Sequence, residues 1–198
     1  QIGKLYYFKK SDKVSEIKNV TLDEFSVTAT ENVLLFASSI LQKIILKIAD
    51  QDYQVQELAK VLRKMGAKIK AGFHEFEIIG SEKLKGFSHN LIADPIEAGT
   101  FIVAALATKG DVLIKNVELN YLTLFLKKMV AFGVNFEFPN NRSVRVLPSP
   151  KLLIDKIQSL PYPGIHTDLQ SPFGVLATQT KGATLIHDPL YEGRLKYL

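Results

Sequence analysis

The chain has 198 residues, of which 46% are hydrophobic and 23% charged, as is usual for a globular protein with one domain or two small ones. The absence of cysteine excludes disulfides, thiolate metal sites and a cysteine nucleophile within this sequence, and it fits a cytoplasmic protein. No uncharged stretch reaches the ~18 residues of a membrane span, and no signal peptide is apparent.

The net charge of +5 suits anionic ligands. The lysines are spread along predicted helix faces and hairpins without long runs or interleaved aromatic residues, so we expect no nucleic-acid interface. The four histidines lack metal-ligand spacing, and the sequence contains neither a glycine-rich phosphate loop nor a nucleophile elbow. We therefore expect no metal and no cofactor. The chain begins at Gln1, which suggests a processed or trimmed piece of a longer protein.

The first third of the chain predicts a mixed α/β unit. In chain order its elements are strands at 4–9 and 14–20 in a hairpin, a helix capped by Thr28 or Thr30, strand Ile44–Ile48, helix Val55–Met65, and strands Lys68–Lys70 and Glu75–Ile79. The second helix should bury one apolar stripe, formed by Val55, Leu58, Leu62 and Met65. The pattern is a βαβαββ unit.

The remainder predicts the same order once more and then part of it again. The second unit comprises helix Glu97–Ala107, strand Val112–Ile114, helix Tyr121–Phe132, and strands Val134–Phe138 and Ser143–Leu147. Its second helix has the predicted apolar stripe Leu122, Phe125, Leu126, Met129 and Val130. The third unit comprises a strand near Asp155–Ser159, a proline-rich loop, a helix from about Asp168 and strand Ala183–His187. The third unit is therefore incomplete.

A period of 67 residues supports a true repeat. It separates Gly66 from Gly133, each closing an amphipathic helix, and Thr100 from Thr167. The alternative is that any α/β protein has helix–glycine–strand joints. The N-terminal hairpin could supply the strands that the third unit lacks, as in a permuted repeat.

Three helix starts carry hydroxyls or carboxylates. Asp168 is either an N-cap or a base that accepts a proton from a substrate hydroxyl, and Asp94, which precedes Pro95, allows the same two interpretations. The segment Ser26-Val27-Thr28 offers hydroxyls beside free backbone amides, which suits a phosphate. His166 is interpreted as a loop histidine.

These residues lie in three motifs that together resemble the UDP-N-acetylglucosamine enolpyruvyl transferases of peptidoglycan synthesis. The motifs are Ser26-Val27-Thr28-Ala29-Thr30-Glu31-Asn32, Asp94-Pro95-Ile96-Glu97-Ala98-Gly99-Thr100-Phe101 and Pro161-Tyr162-Pro163-Gly164-Ile165-His166-Thr167-Asp168-Leu169-Gln170. The resemblance covers nearly all of this chain but only the middle to later part of such an enzyme. It implies an inside-out α/β barrel, shared with the shikimate-pathway enolpyruvyl transferases.

The resemblance also implies roles. The chain would be part of a transferase that moves the enolpyruvyl group of phosphoenolpyruvate to the 3-hydroxyl of UDP-N-acetylglucosamine. Asp168 would bind that hydroxyl and act as the base, with Asp94 beside it as the second catalytic residue. The remaining substrate-binding residues would be Ser26, Val27 and Thr28 on the phosphates, Asp52 in the cleft, and Leu190, Glu192 and Arg194 near the sugar.

Several positions depart from the family pattern. Pro95 replaces an arginine, Thr28 a glycine, Gly193 an asparagine, and Gln51 stands within a segment that has lost its glutamates. The family's cysteine loop, N-terminal lysine and late arginine have no counterpart in this sequence. We therefore expect this chain alone not to catalyse, and a second chain could supply the missing half.

The resemblance divides the chain into two parts. Residues 1–92 would form one repeat plus the hairpin and belong to the first lobe. Residues 93–198 would form two repeats, the last incomplete, and belong to the second lobe. The alternative function is a non-catalytic nucleotide-sugar-binding or structural module of the same fold. Retained Asp94 and Asp168 favour the enzyme, whereas Pro95, Gln51 and Thr28 favour the module.

Overall fold

The computed structural model describes residues 18–198, which form two compact units, the first ending at His89 and the second comprising Asn90–Leu198. The predicted strand at 4–9 and most of the one at 14–20 lie outside the described residues. No helix within the described part of the chain is long and apolar enough to cross a membrane.

The first unit is a four-stranded sheet packed on two helices. Its elements are β1 (Asn19–Thr21), α1 (Val27–Ala37), β2 (Ile44–Lys47), α2 (Tyr53–Met65), β3 (Lys68–Gly72) and β4 (Glu75–Ile79). The strand order is β1-β2-β4-β3, with β1 parallel to β2 and the other pairs antiparallel. The βαβαββ order predicted for this unit is confirmed.

β1 belongs to the sheet of the first unit. Its partner is β2, with Asn19 opposite Ile45. The idea that the N-terminal hairpin completes the third unit is thus wrong for residues 19–21, while its other residues are not described.

The core of the first unit follows from the strand and helix periodicities. The inward residues of the sheet and of α2 are buried; they are Ile44, Leu46, Ile69, Phe76, Ile78, Val55, Ala59 and Leu62. Leu58 and Met65 pack against them, which confirms the predicted stripe of α2. Gly66 ends that helix at φ 117°, a backbone conformation that glycine adopts without steric cost.

The first unit ends in a segment that folds back on α2. The Lys85 amide donates to the Met65 carbonyl (2.8 Å), and His89 Nε2 lies 2.6 Å from Glu57 Oε2. Burial of Glu57 opposes its ionisation, but hydrogen bonds from Lys60 and His89 outweigh burial and hold the pKa of Glu57 below its ordinary value. The segment after β4 is thereby held against α2 as far as His89, the last residue of the first unit.

The second unit begins with the same order. Its elements are α3 (Pro95–Ala107), β5 (Val112–Lys115), a 3₁₀ turn (Leu119–Leu122), α4 (Thr123–Ala131), β6 (Phe136–Asn140) and β7 (Ser143–Val146). The strands form an antiparallel sheet in the order β5-β7-β6. The apolar stripe of α4 is confirmed at Leu122, Phe125, Leu126 and Met129. It is wrong at Val130, whose side chain is 56% exposed.

The third repeat is partial, as predicted. It contains β8 (Lys156–Gln158), a 3₁₀ turn (Thr167–Leu169), α5 (Gln170–Ala177) and β9 (Leu185–His187). β8 and β9 are parallel, like β1 and β2. Helices α3 and α5 pack against each other. At Gly99 of α3 an added Cβ would lie 2.7 Å from Leu169 Cδ2, so this close approach requires glycine.

The backbone repeats with a period of 68 residues between the first two repeats. Ile48 and Asn116, 68 positions apart, both follow a strand with positive φ, at 56° and 60°. The next amides, of Ala49 and Val117, donate to the carbonyls of His74 and Arg142 respectively, again 68 apart. Gly66 and Gly133 both have positive φ at the end of a helix, but they are 67 positions apart, because Gly66 is the C-cap of α2 whereas Gly133 follows the C-cap Phe132 of α4. The predicted period of 67 is therefore one residue short.

The pairing of Thr100 with Thr167 is wrong. Thr100 lies in the middle of α3, whereas Thr167 starts the 3₁₀ turn before α5. The helix starts that correspond are those capped by Ser26 and Asp94, 68 positions apart.

Candidate functional site

The start of α1 carries the predicted phosphate-binding segment. Ser26 has extended backbone angles and its Oγ accepts from the Ala29 amide (3.3 Å), so Ser26, rather than Thr28 or Thr30, is the N-cap. Val27 and Thr28 follow as the first helical residues, where backbone amides have no partner inside the helix. The Thr28 side chain is exposed, with its Oγ1 3.5 Å from Ser26 Oγ. A negative ligand is favoured at such a helix start.

Thr30 does not cap because its hydroxyl has two other partners. It donates to the Ser26 carbonyl (2.7 Å) and accepts from the Asp50 amide (3.0 Å), and the residue is fully buried. Asp50 Oδ1 in turn accepts from the Asp52 amide (2.7 Å). These bonds fix the starts of α1 and α2 relative to each other.

Asp52, predicted to serve in the cleft, is the N-cap of α2 and is only 6% exposed. Its Oδ1 accepts from the Tyr53 amide at 2.7 Å. Burial, and then the charge of Asp50, raise the pKa of nearby Glu31. The loop thus concentrates carboxylates, and its Gln51 Nε2 is buried with no hydrogen-bond partner among the described residues.

In the second unit, Asp94 occupies the predicted place at a helix start. Its carboxylate accepts from the Ile96 amide (2.8 Å), and Pro95 stands in the first turn, where a missing N–H costs nothing. The interpretation of Asp94 as an N-cap is therefore confirmed. The side chain is exposed.

Asp168 is not an N-cap. His166 caps the 3₁₀ turn, and its Nδ1 accepts from the Asp168 amide (3.1 Å). This bond requires a lone pair on Nδ1, so the 3.7 Å approach of Nδ1 to Asp168 Oδ2 is not a charge pair in this arrangement. The Asp168 carboxylate instead forms an ion pair with Arg194 and is half exposed. The structure thus brings together two of the predicted site residues.

The loop before Asp168 is compact. Gly164 admits no side chain, because an added Cβ would lie 2.3 Å from Leu160 Cβ and 2.7 Å from the Pro161 carbonyl oxygen. The Gly164 amide donates to that same carbonyl (2.7 Å), and the peptide bond between Tyr162 and Pro163 is cis. These contacts fix the path of the chain into the turn that carries Asp168.

Asp188 organises this site and was missed from the sequence. Its carboxylate accepts from Thr167 Oγ1 (2.8 Å), Gln170 Nε2 (2.9 Å), and the amides of Leu190 (2.8 Å) and Tyr191 (3.3 Å). Burial opposes ionisation, but these hydrogen bonds together hold the pKa of Asp188 below its ordinary value. An aspartate directly after a predicted strand was the available signal, since Asp50 stands two residues after another such strand.

Asp188 and its neighbours position the segment that contains Leu190, Glu192 and Arg194. The Leu190 amide is held by Asp188, and the Arg194 guanidinium lies 5.3 Å from the ring centroid of Tyr191. Glu192 is exposed in the same segment. Tyr197 holds the end of this segment in place, because its hydroxyl donates to Gln170 Oε1 (3.1 Å). Burial and, second to it, the charge of Asp188 raise the pKa of Tyr197.

The arrangement offers chemistry for anions and hydroxyls. The first unit presents helix amides at Val27 and Thr28, and the second presents an exposed carboxylate beside a guanidinium. Within residues 18–198 no group of three or more His, Asp or Glu side chains could hold a metal ion. The two sets belong to different units.

The comparisons with known proteins agree on one family. The sequence model of EPSP synthase (3-phosphoshikimate 1-carboxyvinyltransferase) matches residues 9–192. A UDP-N-acetylglucosamine 1-carboxyvinyltransferase of Halothermothrix orenii is 36% identical over 189 residues, covering 94% of this chain and 45% of the relative. UDP-N-acetylglucosamine 1-carboxyvinyltransferase 3 of Caldanaerobacter subterraneus subsp. tengcongensis is 39% identical over 181 residues, covering 91% and 43%. This chain therefore spans less than half the length of these relatives.

Solved structures show the fold. The match to the enolpyruvyl transferase NikO from Streptomyces tendae covers 91% of this chain and 46% of the NikO chain, with a TM-score of 0.82 at 20% identity. EPSP synthase from Acinetobacter baumannii matches 86% and 40%, with a TM-score of 0.59 at 18% identity. The predicted α/β fold of the enolpyruvyl transferase type is thereby confirmed. The chain belongs to the EPSP synthase (3-phosphoshikimate 1-carboxyvinyltransferase) family.

Proposed function

We propose that this chain is part of a cytoplasmic transferase that moves the enolpyruvyl group of phosphoenolpyruvate to the 3-hydroxyl of UDP-N-acetylglucosamine, in peptidoglycan synthesis. The names of relatives at 36% and 39% identity support this substrate pair. The observation that carries the proposal is the exposed Asp168 carboxylate, paired with Arg194 in a turn that the hydrogen bonds of the half-buried Asp188 hold in place.

In this proposal Asp168 accepts the proton of the sugar 3-hydroxyl as its oxygen bonds to C2 of phosphoenolpyruvate. A proton adds to C3 to give a tetrahedral intermediate. The bond from C2 to the phosphate oxygen then breaks and C3 loses a proton, which releases inorganic phosphate and forms the enol ether. Arg194 would leave Asp168 when the hydroxyl arrives and would remain close enough to attract an anion. Asp94, at the start of α3, would contact the same substrate.

The helix start at Ser26 would hold the diphosphate of the nucleotide sugar. Backbone amides of Val27 and Thr28 supply donors, and the aligned peptide dipoles of α1 favour the negative charge. Asp52 would act by orienting the start of α2, since its carboxylate already caps that helix. Leu190 and Glu192 would line the sugar side of the site.

The chain alone should not complete the reaction, because the sequence has no cysteine to serve as a general acid and Pro95 removes a cation at the start of α3. The rest of the machinery would come from further sequence or a second chain. The resemblance places the division between lobes at 92/93, and this boundary remains a prediction. We propose no nucleic-acid partner.

A non-catalytic nucleotide-sugar-binding module is the second candidate. It is favoured by Pro95, which stands in the first turn of α3 where the resemblance predicts an arginine. Both candidates predict binding of the nucleotide sugar and differ in whether enolpyruvyl transfer occurs once the missing half is present.

Isothermal titration calorimetry tests the proposal. We expect UDP-N-acetylglucosamine to bind the chain and Asp168→Ala to weaken it, while uridine 5′-diphosphate, which lacks the sugar, binds both proteins equally. Asp155→Ala, which removes another exposed aspartate of the same unit, is the matched control. Absence of binding at millimolar nucleotide sugar would contradict the proposal for this chain.

A further inference from the structure

The outer face of the sheet in the first unit carries a row of charges that alternate in sign. Glu77 of β4 lies directly opposite Lys70 of β3, and opposite residues of paired strands point to the same face. The residues before and after Glu77 are buried, so Glu77 itself points away from the core. On the β2 side, Lys43 Nζ lies 2.7 Å from Glu77 Oε2. The first row, Lys43, Glu77 and Lys70, is therefore positive, negative and positive.

The outer face of the sheet in the second unit carries a row with the opposite signs. Arg145 of β7 lies opposite Glu137 of β6, and the residues before and after Arg145 are buried. Its guanidinium donates to the Asp111 carboxylate from Nε (2.7 Å) and Nη2 (2.8 Å) and lies 3.3 Å from Glu137 Oε2. The second row, Asp111, Arg145 and Glu137, is therefore negative, positive and negative.

The signs are reversed at equivalent positions of the two repeats. Three pairs of positions in and beside the rows are 68 residues apart: Lys43 and Asp111, Ile45 and Leu113, and Glu77 and Arg145. Lys70 and Glu137 are 67 apart, because the second hairpin has a register shift that the first lacks. The two faces thus present one pattern of charge and its inverse on related sheets.

Both rows are ionised and accessible. Hydrogen bonding from Lys43 lowers the pKa of Glu77, and hydrogen bonding from Arg145 lowers the pKa of Asp111, so both carboxylates are charged at neutral pH. The Glu137 side chain is 54% exposed. Beside it lies a groove of about 470 Å³, which both carboxylates of the second row line and which has room for a lysine side chain.

We propose that the first row of one copy of this chain binds the second row of another copy. With Glu77 set against Arg145 of the other copy, the lysines beside Glu77 meet the carboxylates beside Arg145. Two first rows, or two second rows, would bring like charges together, which disfavours both of those contacts. This inference is independent of the proposed function.

The contact should be weak and sensitive to salt. A single exposed ion pair contributes little, whereas a network of several charges contributes more. Ile45 and Leu113 lie opposite Glu77 and Arg145, so the contact also covers apolar side chains. We therefore expect association that increases with protein concentration at about 0.01 M salt and is lost at about 1 M salt, where screening is strongest.

Sedimentation velocity over a range of chain concentrations tests the proposal. The two variants are Lys70→Glu, which gives the first row a net negative charge, and Glu137→Lys, which gives the second row a net positive charge. Each is measured alone, and then the two are mixed in equal amounts. The controls Lys83→Glu and Glu118→Lys make the same changes of charge outside the rows, and Glu118, like Glu137, is paired with an arginine.

We expect each variant alone to associate at least about tenfold more weakly than the wild type, because like charges then face each other. The equal mixture should associate again, since the reversed rows complement each other. A wild type that stays monomeric at low salt would overturn the proposal. So would a mixture that does not associate, association that neither variant weakens, or controls that weaken it as much as the variants do.

Discussion

The first and second repeats have nearly the same backbone and different edges. Both have a residue of positive φ after the first strand of the antiparallel set and the same loop hydrogen bond, whereas the second hairpin has a register shift between Glu137 and Asn140 that the first lacks. In the first repeat the edge carries aromatic rings and buried aspartates, whereas in the second it carries Arg142 and Glu118 in an exposed ion pair. The comparison shows which residues the scaffold needs and which are available for ligands.

The largest expected effect concerns the cores, where the repeats place different residues at one position. Phe76 and Val144, 68 positions apart, are both fully buried. Phe76→Ala should destabilise the first unit by about 3–5 kcal/mol, because it removes a ring and leaves a cavity. Val144→Ala should cost the second unit about 2 kcal/mol, since only two methyl groups are lost. Urea unfolding followed by hydrogen exchange of each unit measures both, and equal losses would contradict the comparison.

The next largest effect concerns Asp188 of the third repeat, whose carboxylate accepts four hydrogen bonds. Asp188→Asn should cost the second unit about 2 kcal/mol, because an amide cannot accept all four bonds. The folded-state pKa of Asp188 is lowered, so its contribution is present above the unfolded pKa of about 3.9 and is lost as the pH falls through the lower folded value.

Acid unfolding of the two proteins therefore provides the measurement. The difference in unfolding free energy between wild type and Asp188→Asn should be constant near neutral pH and shrink below about pH 4. Asp155→Asn, at an exposed position in the same unit, is the control. A difference that does not change with pH would show that Asp188 acts through packing alone.

The smallest effect tests the shared turn. Ile48 is β-branched at φ 56°, where its side chain is strained, while the second repeat uses Asn116 at φ 60°. Ile48→Asn should stabilise the first unit by about 1 kcal/mol, and Asn116→Ile should destabilise the second by a similar amount. Thermal unfolding measures both changes. If Ile48→Asn destabilises, packing of this half-exposed side chain outweighs backbone strain.

Much of the fold was predictable because hydrophobic periodicity and the residues that begin and end helices are local signals. The apolar stripe of α2, its closing glycine and the Asp94-Pro95 helix start all follow from neighbours within one or two turns. The same local logic predicted the wrong cap for α1. Thr30 is also a common capping residue, but its hydroxyl bonds to the Ser26 carbonyl and to the distant Asp50 amide instead.

The site was less predictable because its contacts join residues that are distant in sequence. Motifs indicated Asp168, but its partner Arg194 lies 26 positions away, and the hydrogen bonds of Asp188 join two separate segments, 167–170 and 188–191. The ring contact between Phe25 and His74 likewise joins a residue before α1 to a hairpin turn. Such contacts depend on how the elements pack, which spacing in one sequence does not determine.

The sheets differ in one more respect, which bears on how the chain would behave in concentrated solution. β2 is covered by the parallel strand β1, whereas no strand among residues 18–198 pairs with the corresponding edge of β5. That strand is four residues long, and three of them are exposed, including Val112 at 39% and Leu113 at 44%. Unpaired strand amides and carbonyls are a template for another extended segment. Association through strand edges would begin there, and a proline in place of Leu113 would be the substitution to block it.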